Sequence, residues 1–122
     1  FHNSSHHMDI AENMRRLSLV NAYHMRTTMA YFVAKLQATP DGDGTLLDHS
    51  LVLYGSGMGN SQDHNHKAVP AVLAGRASGK VKGGQHIRAA SGTPVANLLV
   101  TMLDRIGVPT DKFGDSNGTL AI

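Results

Sequence analysis

Residues 51–66, LVLYGSGMGNSQDHNH, decide how this chain is read. The run SLVLY at 50–54 is short, apolar and rich in large side chains with no helical period. That is the pattern of a strand buried on both faces. Gly55, Gly57 and Gly59 follow at alternate positions, where a chain leaving a strand can turn sharply and bring backbone N–H groups close to a ligand. In open α/β sheets ligands collect at the carboxyl ends of strands, so a site is expected just after Tyr54. Asp63, His64 and His66 then fall within four residues. Neutral imidazole with carboxylate suits zinc, iron, manganese or copper, and two histidines at this spacing converge on one ion where the backbone is extended. The same residues also read as a solvated polar loop, and so short a motif does not separate the two readings.

Working back from the strand, residues 39–45 (TPDGDGT) form a connecting turn. Asp41 and Asp43 alternate with glycine there, but the length and the distal Glu of an EF-hand are missing. Upstream, Asp9 reads as an N-cap with Glu12 as its capping-box partner. Apolar residues recur at Ile10, Met14, Leu17, Val20, Met25, Tyr31, Phe32 and Leu36, which predicts one long amphipathic helix ending near Ala38, ahead of Pro40. At 1.5 Å per residue it spans about 40 Å. Met14, Met25 and Met29 read as core filler, and His24 as structural or solvated. At the start, Ser4-Ser5-His6-His7 has the look of a purification-tag scar, yet it runs into the helix without a linker and is read as native.

Working forward, residues 68–75 (AVPAVLAG) form a second strand, with Pro70 at its start or at an edge. The loop from Arg76 to Gly84 is expected to make a small hairpin with the residues around Ile87. Arg76, Lys80, Lys82 and Arg88 either attract an anionic substrate or are simply solvated. His86 is the remaining histidine that could return to the site. Thr93-Pro94 opens a second helix, cap then proline; Val95, Leu98, Leu99, Met102, Leu103 and Ile106 give its apolar face, and Gly107 closes it. Residues 108–122 read as an irregular strap anchored by Phe113 and Leu120. The fold class is therefore α/β, a small sheet with at least two core strands packed against a long N-terminal helix and a C-terminal helix.

At 122 residues the chain reads as a single domain, 1–122, and its 41% hydrophobic content is that of a folded protein. Eleven basic and nine acidic residues are scattered rather than clustered, so the net charge of +2 does not indicate a nucleic-acid partner. The anomaly is eight histidines. The chain has no cysteine, which excludes disulfides and thiolate metal sites. Neither a run of the ~20 apolar residues needed to span a membrane nor a signal peptide is visible. Because the chain begins at Phe1, a processed or truncated product is expected.

The order of FHNSSHH, a long helix, GTLLDHSLVLYGSGMGN, DHNH, VPAVLAG, GGQHI and GTPVANLLVTMLDRIGVPTDKFGDSNG resembles the C-terminal part of a secreted bacterial family named only as domain of unknown function 1552. The resemblance covers essentially the whole chain, and TPVANLLVTMLDRIGVPTDKFGDS is its most specific portion. That family is in turn similar to the alkaline-phosphatase and sulfatase superfamily, so the resemblance implies the second half of such a fold and a fragment of a longer protein. In the superfamily, metal-binding residues precede a long helix, and a strand of a parallel sheet then delivers an Asp-His pair to the same bimetal centre. A further His follows later. The resemblance thus implies His2, His6 and His7 at the first position, Asp63, His64 and His66 at the second, and His86 at the third. It also implies a periplasmic or secreted location.

The expected function is a metal-dependent hydrolase, or part of one, cleaving a small-molecule ester with metal-activated water. Its metal ligands are drawn from His6, His7, Asp63, His64, His66 and His86, with Asp63 and His64 also the candidate catalytic residues. The expected cofactor is a divalent ion, zinc before manganese, iron or calcium. Phosphate or sulfate esters follow from the resemblance; carboxylic esters or lactones suit the chemistry equally. Ser56 and Ser61 rank low as nucleophiles because GSGMG lacks the spacing of a G-x-S-x-G elbow. The alternative is a non-catalytic structural or interaction domain. Homo-oligomers through exposed sheet edges are then expected, with neither membrane nor nucleic acid as partner.

Overall fold

A computed structural model describes residues 2–122. They form a mixed α/β chain of helices and two small two-stranded sheets. The chain divides into two compact units. The first holds the residues up to Lys35 together with Tyr54–Ala71, and the second holds Leu36–Leu53 with Val72–Ile122. The buried apolar set is small: Met29 in the first unit, and Ala77, Val81, Ala96, Leu98 and Val100 in the second. Among the described residues, no helix is long and apolar enough to cross a membrane.

In the first unit a short helix α1 (His2–Ser5) precedes α2 (Ala11–His24). The expected Asp9 cap is not made. Ile10 is the cap residue, without a side-chain bond, because Met8 and Asp9 both take left-handed backbone (φ 48° and 54°) and turn the chain one residue later. Glu12 pairs instead with Arg15 and Arg16 at 2.8 and 2.9 Å. A π-helical turn, Met25–Met29, joins α2 to α3 (Ala30–Gln37). The wide turn is the Ala30 N–H bond to Met25 O, five residues back. The least exposed residues along this segment run Asn13, Leu17, Val20, Met25, Met29 and Val33. Thr27 Oγ1 donates to the Tyr23 carbonyl at 2.7 Å within it. Ile10, Met14, Tyr31 and Phe32, expected on the core face, are exposed.

In the second unit, β1 (Pro40–Asp41) and β2 (Gly44–Thr45) form a tight antiparallel hairpin where a plain turn was expected. Thr45 then caps α4 (Leu46–His49) in a capping box with Asp48. Strand β3 (Val52–Gly55), whose first two residues belong to this unit and whose last two belong to the first, pairs with β4 (Ala71–Ala74), of which Val72–Ala74 belong to this unit. The Ala77 N–H donates to Ser50 O and the Ser56 N–H to Pro70 O, so the two strands run antiparallel. Burial along β3 alternates rather than being complete on both faces. An antiparallel pair needs only one covered face, which is why the apolar run overstated its burial.

Gly75 leaves β4 at φ 104°, and a Cβ there would lie 2.1 Å from Ser50 O. Only glycine fits. This close approach lets the amides of Arg76, Ala77 and Ser78 donate to the carbonyls of Leu47, Ser50 and Asp48, satisfying the end of α4. The expected hairpin near Ile87 is absent; Val81 is buried and its N–H returns to Arg76 O. The C-terminal helix α5 (Val95–Arg105) starts one residue later than its sequence cap suggests, with Pro94 at the cap. Its buried side includes the polar Asn97 and Thr101, each 5% exposed. Leu51 and Phe113 meet Leu99, Met102, Leu103 and Ile106 around a shallow apolar recess.

Candidate metal site at the 59–65 loop

The loop after β3 closes on itself. Gly59 N–H donates to Asn65 O at 2.8 Å, and Asn65 N–H donates to Asn60 O at the same distance. Inside the loop the Asn60 side chain accepts from the Gln62 amide and donates to Asp63 Oδ2 at 3.1 Å. Gly59 is required by its own chain. A Cβ there would stand 1.9 Å from Lys67 O, so the loop closes only with glycine at this position. The loop tip carries His64 in left-handed backbone, φ 49°, a conformation in which histidine is uncommon but enriched over most residues.

Three contacts hold this tip to the N-terminal segment. Ser61 Oγ donates to Ser5 O at 2.7 Å, and Met8 N–H donates to Gln62 Oε1 at 2.7 Å. Between them, His64 Nε2 lies 3.3 Å from His6 Nε2. The two rings meet edge to face, and His2 also packs edge-on against His6 with centroids 4.8 Å apart. Two nitrogens on one tetrahedral zinc, each about 2.0–2.1 Å from it, are separated by roughly 3.3 Å. The His6–His64 spacing fits that geometry.

The other expected ligands are placed differently. His66 Nδ1 lies 2.7 Å from Gly57 O, so Nδ1 carries the proton and a neutral ring keeps its lone pair on Nε2. Fixing one ring nitrogen against a carbonyl is how metal-binding histidines are commonly oriented. His7 is 8% exposed and its Nδ1 accepts the Asp9 amide at 3.0 Å. That bond commits His7 to the turn before α2. Asp63 is exposed, with Oδ2 taken by Asn60. His86 lies in an irregular, exposed stretch of the second unit. Among the described residues no group of three His, Asp or Glu side chains is arranged to hold a metal; of the expected ligands the structure brings together His6 and His64. Ser61 is spent on Ser5, and Ser56 Oγ accepts from the Met58 amide.

A second constellation joins His49 to the two carboxylates of the 39–45 turn. His49 Nδ1 lies 2.9 Å from Asp41 Oδ2 and His49 Nε2 lies 3.1 Å from Asp43 Oδ1. The Asp41 hydrogen bond, then the charges of both carboxylates, hold the His49 pKa above its ordinary value against partial burial. Asp48 is held below the usual carboxylate range by hydrogen bonds from the Thr45 side chain and backbone. The available signal was the D-G-D-G turn with a histidine six to eight residues on.

Compared with family models, with curated proteins and with solved structures, the chain matches none in any of the three.

Proposed function

We propose that this chain is a metal-dependent hydrolase of small-molecule esters, or part of one. The observation that supports it is the 3.3 Å approach of His6 Nε2 to His64 Nε2 across 58 positions of sequence. The resemblance to the domain of unknown function 1552 family, and through it to an alkaline-phosphatase-like half-fold, supports the same reading and a periplasmic or secreted location. His6 and His64 would hold a divalent ion, zinc first. His66, with its Nε2 lone pair left available, and Asp63 are the next donors on the same loop. A divalent ion held there would supply Lewis acidity, favouring the ionised form of a water and polarising an ester oxygen. Asn60 steadies the Asp63 carboxylate through Oδ2 and leaves Oδ1 to take up a proton.

A second reading, an interaction domain without turnover, draws support from the exposed apolar residues Ile10, Met14, Tyr31 and Phe32 on the long helical segment. Self-association through the open edges of the two-stranded sheets belongs to this reading.

The experiment is turnover of an aryl phosphate, an aryl sulfate and an aryl carboxylate by the zinc-loaded chain. Hydrolysis of one of them that a chelator removes, zinc restores and His64→Asn abolishes is the predicted result. No turnover of any ester, with concentration-dependent association by light scattering, would overturn the hydrolase in favour of the interaction domain.

A further inference from the structure

We propose that His49 is a proton-operated clasp on the 40–45 hairpin, closed when both ring nitrogens carry protons and opened at Asp43 when one proton leaves. The geometry sets the requirement. Carboxylates only accept hydrogen bonds, so a ring nitrogen facing one needs its own proton. With Asp41 at Nδ1 and Asp43 at Nε2, only the doubly protonated ring satisfies both. A neutral ring turns one lone pair toward a carboxylate, and that contact becomes repulsive.

The two carboxylates are not equivalent. Asp41 sits within β1 and its side chain is 45% exposed, whereas the Asp43 side chain is 96% exposed and lies between the strands. Asp43 is therefore the arm that releases. The other charged groups facing this place are Asp48, held by Thr45, and Arg76, whose Nε lies 3.8 Å from Asp48. Asp48 favours the charged ring and Arg76 opposes it, leaving the two hairpin carboxylates to decide. An open cleft lined by Asp43, Gly44, Asp48, His49, Arg76 and Ser78 adjoins the ring. Release of Asp43, with the proton passing to bulk water, presents a free imidazole Nε2 to that cleft beside one carboxylate and one guanidinium. The hairpin, α4 and residues 76–78 are joined by capping and backbone hydrogen bonds, so the opening is confined to the turn.

The test is an NMR titration of the full chain, following the His49 ring nitrogens and the contact between its Cε1 proton and Gly42, where a Cβ would lie 3.9 Å from Cε1. His49 is expected to titrate above the ordinary ~6.5. The Gly42 contact and the Gly44 amide shift should change with the same midpoint, the contact losing about half its intensity or more. Asp43→Asn, at an exposed side chain, should move the midpoint down; His49→Gln should remove the step while α5 amide protection persists. A midpoint at or below ~6.5, a Gly42 contact that ignores the titration, or an unchanged step in His49→Gln would overturn the clasp.

Discussion

His6 Nε2 and His64 Nε2 stand 3.3 Å apart, with ring planes at 61°. This is long for a good hydrogen bond between nitrogens and close to the separation imposed by one tetrahedral zinc. The contact is built from both sides. The Gly59–Asn65 closure presents the loop tip, and Ser61–Ser5 and Met8–Gln62 fasten it to the N-terminal segment.

Left-handed backbone at His64 carries a conformational cost that glycine does not. His64→Gly is expected to be more stable than His64→Ala by about 1 kcal/mol in urea unfolding, with His64→Asn between them. All three lose the imidazole. Equal stability of the glycine and alanine variants would contradict the strain.

Gly59 and Gly57 make a matched pair of tests. A Cβ at Gly59 meets Lys67 O at 1.9 Å and Ala68 O at 3.0 Å, whereas one at Gly57 meets nothing within 4 Å. Gly59→Ala should cost about 1–3 kcal/mol and weaken zinc binding about tenfold or more without touching a ligand. Gly57→Ala should stay within about 0.5 kcal/mol. Chemical denaturation and zinc titration of both variants decide it.

The C-terminal strap depends on polar anchors. Asn97 Oδ1 accepts the Asn117 amide, its Nδ2 donates to Asn117 Oδ1, and Thr101 Oγ1 accepts the Leu120 amide, each at 3.0 Å. Asn97→Ala or Thr101→Val leaves a strap amide unpaired and should cost about 1–3 kcal/mol. Hydrogen exchange at Asn117 and Leu120 should rise first. Wild-type exchange there in both variants would contradict the anchoring role.

Acid and alkaline limbs of stability are expected from different groups. The Arg15 and then Arg16 hydrogen bonds hold Glu12 down to about 2, and Thr45 holds Asp48 low. A depressed carboxylate stabilises fully above its unfolded pKa and loses that contribution as pH falls, for Glu12 between about 4.5 and about 2. The raised His49 works the other way: its contribution is complete below ~6.5 and is lost as pH rises through the folded value. Glu12 is well exposed, so 1 M salt should erase the acid difference between wild type and Glu12→Gln. The alkaline loss should vanish in His49→Gln. Melting temperature against pH for the three chains gives the comparison.

Much of this was legible where one local rule governs. The helical period ahead of Pro40, the apolar bursts of β3 and β4 and the Pro94-led α5 all appear from pattern. Strand direction did not show, because it follows from residues 76–78 reaching the α4 carbonyls past Gly75, a long-range approach with no periodic signature. Among the histidines, His6 and His7 are indistinguishable by spacing. Left-handed backbone at Met8 and Asp9 separates them, sending the Asp9 amide to His7 and leaving His6 to meet His64. His49 was hidden by a turn that looked merely connecting.

Zinc titration by calorimetry of the full chain, beside its His6→Ala and His64→Asn variants, tests the central claim most directly. The account predicts one ion per wild-type chain, at least about tenfold weaker binding (roughly 1.4 kcal/mol) in either variant, and no comparable loss in His24→Ala. A wild-type chain that takes up no zinc, or variants that bind it as tightly as wild type, would contradict the account.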